Sequence, residues 1–94
     1  MKEQIKRKLI EELDYSTACA SKTVEDLSRI QYSDLKNGVL SWLQSNKQTL
    51  ITVGEYSSAF LMEQYHMTYP AALIFLDWYR TDPDIAVSVL KSRM

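Results

Sequence analysis

The sequence predicts an all-α protein, a compact bundle of four or five short helices with a helix-turn-helix-like C-terminal half. Three observations lead there. Hydrophobic residues make up 46% and charged residues 24% of a 94-residue chain with two Gly and two Pro, a balance too apolar and too poor in breakers for disorder. Apolar residues recur at three- and four-residue spacing rather than alternating. Helix-start signals, a Ser, Thr or Asp ahead of an apolar run, return at short intervals. The length fits a single helical domain over residues 1–94, a size that buries roughly 60 to 70% of its unfolded surface.

Ile5, Leu9, Ile10 and Leu13 define a first amphipathic helix. Its charge order runs against the helix dipole, with Lys2, Lys6, Arg7 and Lys8 ahead of Glu11, Glu12 and Asp14, so packing has to hold it. Residues 15–22 read as a connection or as more helix, a boundary the sequence leaves open. Thr23-Val-Glu-Asp26 reads as the next start, with Val24, Leu27 and Ile30 on the apolar side. Ser33-Asp34 offers a fresh cap before Leu35, Val39, Trp42 and Leu43. Gly38 in that run costs about 1 kcal/mol relative to Ala, and either a close helix crossing or a tolerated defect accounts for it.

After a polar turn, Leu50 to Val53 is short and β-branched with no sheet partner evident in the sequence. Thr52-Val-Gly-Glu55 then has the form of a capping box that starts a helix through Phe60 and Leu61. A tight break follows at His66 and Met67. Thr68 caps the helix on which the chain is organised, Tyr69 to about Arg80, with Pro70 in its first turn and an apolar run from Ala71 to Leu76. A helix apolar all round has to be covered all round. Asp82-Pro83 starts a last helix, in which Ile85, Ala86, Val89 and Leu90 form the apolar side and Lys91 and Arg93 sit favourably near the C-terminus.

A formal net charge of −1 and a pI near 5.7 exclude a global positive field for nucleic acid or anionic membrane. The single Cys19 excludes an intrachain disulfide or thiolate metal cage and suits a reducing, cytoplasmic setting; flanked by Ala18 and Ala20, it reads as a small buried residue. No stretch is long enough to span a bilayer. Glu63 and His66 have the Glu-x-x-His spacing of carboxylate metal sites, but no second copy accompanies them. No catalytic motif, metal set or cofactor-binding motif is present, so neither an enzyme nor a cofactor is expected.

The capped helix, turn and second capped helix over residues 52–79, with the helix before them, resemble the helix-turn-helix core of the winged-helix γ domain of FtsK DNA translocases. The resemblance covers about residues 34–79. Tyr69, Ala72 and Asp77 match the family's turn and recognition helix, and the likeness implies a trihelical DNA-binding core. The positions of the family's DNA-contacting Asn and Arg hold Pro70 and Ala71, a later basic position falls on Ile74, and no wing follows. Residues 53–79 contain no Lys or Arg at all, whereas phosphate neutralisation supplies most nonspecific DNA affinity.

Aromatic residues supply the stronger signal. Trp42, Tyr56, Phe60, Tyr65, Tyr69, Phe75, Trp78 and Tyr79 fall in or beside this unit, and Tyr and Trp are enriched at interface cores. The expectation is a noncatalytic interaction protein that self-associates or docks a protein partner through Tyr65, Tyr69, Trp78 and Tyr79. The alternative is a small DNA-binding regulator that dimerises through that aromatic surface and meets phosphate with Lys2, Lys6, Arg7 and Lys8. Trp78 and Tyr79, being consecutive, cannot share one helix face.

Overall fold

Residues 1–92 are described in a computed structural model. They form six helices and one short hairpin: α1 Lys2–Leu13, α2 Thr17–Ser28, α3 Ser33–Ser45, β1 Thr52–Val53, β2 Tyr56–Ser57, α4 Ser58–Gln64, α5 Tyr69–Thr81 and α6 Pro83–Ser92. The fold is all-α, with one more helix than the upper expectation. Arg93, expected to favour the end of α6, lies outside the described residues.

α5 is the hub. Tyr69, Pro70, Ala72, Leu73, Phe75 and Leu76 are buried along it, and α2, α3, α4, α6 and β1 all pack on it. Its start is fixed twice, because the Thr68 hydroxyl accepts from the Ala71 amide at 3.4 Å and shares a 2.6 Å hydrogen bond with the Tyr15 hydroxyl. At Gly38, α3 comes close to this hub and to the segment before the hairpin. A Cβ there would lie 2.8 Å from Ile51 Cδ1 and 3.0 Å from the Tyr69 hydroxyl, so a close crossing, not a tolerated defect, explains the glycine. α1 packs on α2 and α3 and is held through buried Ile5 and Leu9.

Two elements differ from the sequence expectation. α2 begins at Thr17, where Ser16 accepts from the Cys19 amide at 3.2 Å, and Thr23 lies inside the helix. Ala20, Val24 and Leu27 form one buried line at helical spacing, so the helix runs through the expected start. Thr52-Val-Gly-Glu55 is a hairpin rather than a capping box. Thr52 pairs with Ser57 and Val53 with Tyr56, across a two-residue loop whose first position, Gly54, has φ 57, the conformation a glycine-first hairpin turn requires. The capping role passes to Ser57, which accepts from the Phe60 amide at 3.1 Å. The expected break falls where the sequence put it, with His66 at φ 56.

Candidate functional site

The four aromatic residues expected to meet a partner do not converge. Tyr69 is 1% exposed and its hydroxyl donates to the Thr49 carbonyl at 2.7 Å. Burial raises its pKa, partly offset by that bond. It belongs to the core and is withdrawn from the partner face, because the first turn of α5 is the part that α3 and residues 49–51 close upon.

Tyr65 and Tyr79 lie on the hairpin side of α5, in a chain of rings. Tyr79 stacks on Phe75 at 6.0 Å and meets the edge of Tyr56 at 5.0 Å; Tyr56 contacts Phe60, and Phe60 contacts Tyr65 at 6.1 Å. Desolvation is the main reason the Tyr56 phenol titrates above its ordinary value. Tyr79 also floors the hairpin turn, since a Cβ at Gly54 would lie 3.0 Å from its ring. This side of α5 is closed by its own chain.

Trp78 faces elsewhere. It is 37% exposed and lines a groove of about 330 Å³ bounded by Cys19, Thr23 and Asp26 of α2 and by Val89 and Leu90 of α6, with Ala71 and Ile74 of α5 also lining it. Cys19 is exposed at this groove, against the buried position expected, because Ala20 rather than Cys19 takes the buried place on α2. The apolar surface continues onto α6. Ala86 and Leu90 are buried, whereas Ile85 is 52% and Val89 41% exposed. The sequence had placed all four on one apolar side. They span an arc too wide for one contact, and α5 is the helix α6 packs on, so half of the arc is left to solvent. Ile85 and Val89 are thus the site residues that sequence reasoning missed, and the width of that arc was the available signal.

The third side of α5 is closed by charge. Arg80 donates from both terminal nitrogens to Asp34, at 3.1 and 2.9 Å, and lies 4.5 Å from the Tyr32 ring. Asp77 accepts from the Gln31 amide at 3.2 Å. The Arg80 hydrogen bonds hold the Asp34 carboxyl below its ordinary value of 3.8 and raise Arg80 in turn. The one cation of α5 is therefore engaged within the chain. Of the residues shared with the translocase pattern, Tyr69 and Ala72 are core and Asp77 bonds the α2–α3 connection.

The four basic residues expected to meet phosphate are divided. Lys8 has a side chain only 10% exposed, pairs with Glu12 at 3.4 Å and sits 4.9 Å from the Trp42 ring centre. Lys6 and Arg7 share a shallow hollow with Glu3 and Glu11, and Lys2 lies on a separate groove with Lys36. Glu63 and His66 are both exposed, and no group of three His, Cys, Asp or Glu converges among the described residues. No described helix is long and apolar enough to cross a membrane. In comparison with known proteins, no family model matches the chain, and neither curated proteins nor solved structures give a match.

Proposed function

We propose that the chain is a noncatalytic interaction protein whose docking surface is the groove face of α5 and α6, centred on Trp78, Ile85 and Val89. The observation that carries this reading is that two exposed apolar side chains, Trp78 and Val89, line one groove, and that Ile85, one helical turn before Val89 on α6, extends the exposed apolar surface beyond it. Scattered apolar residues on a surface are ordinary, but a continuous set around a concavity marks a binding site. Trp, with its large apolar body and polar tip, suits the centre of such a site. The other large exposed apolar residues support it less: Phe60 is tied into rings with Tyr56 and Tyr65, and Leu50 stands on a separate shallow surface with Met62.

Site-specific photo-crosslinking in the producing cell tests the reading. A photoreactive side chain at Ile85 is expected to give discrete protein adducts, while the same group at Lys47, exposed beyond the end of α3, gives few. Equal yields from both positions, or none from Ile85, would refute the docking surface.

A further inference from the structure

We infer that the occupant of this face is a second copy of the same chain, seated so that the two α6 helices run antiparallel across a two-fold axis. The inference rests on the reading of the groove face as an interface. An α-helix turns about 100° and rises about 1.5 Å per residue. Ile85, Ser88, Val89 and Ser92 therefore share one strip of α6, turned away from the Ala86 and Leu90 side that α5 covers, and all four are exposed. In an antiparallel pair centred on this strip, Ile85 of one copy meets Val89 of the other, and the relation repeats through the axis. The two small serines leave no bulky side chain to hold the helices apart.

Charge complementarity selects this occupant and this direction. Asp84 and Lys91 are both exposed, and neither forms an ion pair among the described residues. They are two turns apart, so they border the strip on the same edge. A two-fold axis perpendicular to the helices reverses their direction and brings Asp84 of each copy to Lys91 of the other, whereas parallel pairing about a two-fold would put the equivalent charges on opposite edges of the contact and leave them without partners. An isologous interface needs such self-complementarity; a foreign partner would not require it. Trp78 and the groove flank the strip on its Val89 side, adding apolar area to a contact that one 10-residue helix alone makes small.

Sedimentation equilibrium on the purified chain, from micromolar to millimolar concentration, tests the arrangement. The mass is expected to rise toward twice the monomer. Asp84→Lys and Lys91→Asp should each weaken dimerisation about tenfold, because two attractive pairs become repulsive. An equimolar mixture of these two variants should recover the original affinity, since each copy then supplies the charge the other needs. A fold defect cannot produce that recovery. Should either charge variant fail to fold, Ile85→Glu, at an exposed site, decides: loss of the dimer supports the inference and its survival overturns it. A chain that stays monomeric, or a mixture that does not recover, also overturns it. If the chain is monomeric while Ile85 still crosslinks to a protein of another mass, the interface reading stands without the second copy. If it is monomeric and no adduct forms, both fail.

Discussion

Trp78 and Tyr79 are adjacent on one helix, and their surroundings are opposite. Tyr79 stacks on Phe75, meets Tyr56 edge-on and carries the hairpin turn at Gly54; Trp78 borders an open groove continued by Ile85 and Val89. The same kind of side chain thus serves as mortar on one side and as surface on the other. An aromatic-rich helix cannot be read as one sticky face: what matters is which rings the chain has already paired.

Replacing Tyr79 breaks the closed side. Tyr79→Ala removes a ring that touches two others, and we expect a loss of about 2 to 3 kcal/mol of folding stability, measured by urea unfolding. A loss below half a kcal/mol would mean the ring chain is not cohesive. Gly54→Ala attacks the same side from the turn, where a Cβ meets both the left-handed backbone and the Tyr79 ring. About 1 to 2 kcal/mol should be lost there, with no change in association.

Asp34→Asn sharpens the comparison from the side closed by charge. The Arg80 pair is partly exposed, with side chains 28% and 47% accessible, so the loss should be no more than about 1 kcal/mol. Its pH dependence has a definite sign. The folded pKa of Asp34 lies below 3.8, so its contribution is complete above the unfolded value and disappears as pH falls through the depressed one. The stability gap between wild type and Asp34→Asn, followed by denaturant unfolding against pH, should be present at neutral pH and close below 3.8.

The sequence made the hub legible because its signals are local. Thr68 as cap, Pro70 in the first turn, the break at His66 and the Pro83 start all depend on neighbours in the chain, and all stand in the structure. The hairpin was hidden because Thr52, Gly54 and Glu55 satisfy a capping pattern and a turn pattern equally; what separates them is a ring from Tyr79, 25 residues further on. Adjacency showed that Trp78 and Tyr79 must part, but the choice of exposed ring depended on where Tyr56 and α6 came to lie. Likewise, the apolar arc of α6 was visibly wider than one contact covers, but which half of it faces α5 is set by how the two helices cross, so the pattern did not single out Ile85 and Val89 as the exposed pair. Tyr69 shows the opposite error, since its polar tip suggested a surface and instead found the Thr49 carbonyl.

The most direct test compares Trp78→Ala with Tyr79→Ala, reading folding stability by urea unfolding and association by sedimentation on the same samples. The account predicts crossed effects. Trp78→Ala should lose association and less stability than Tyr79→Ala, because its ring is 37% exposed and lines the groove. Tyr79→Ala should lose the larger stability, and whatever fraction remains folded should still associate. Equal losses of stability, or association that survives Trp78→Ala unchanged, would contradict the division of α5 into a closed side and a docking side.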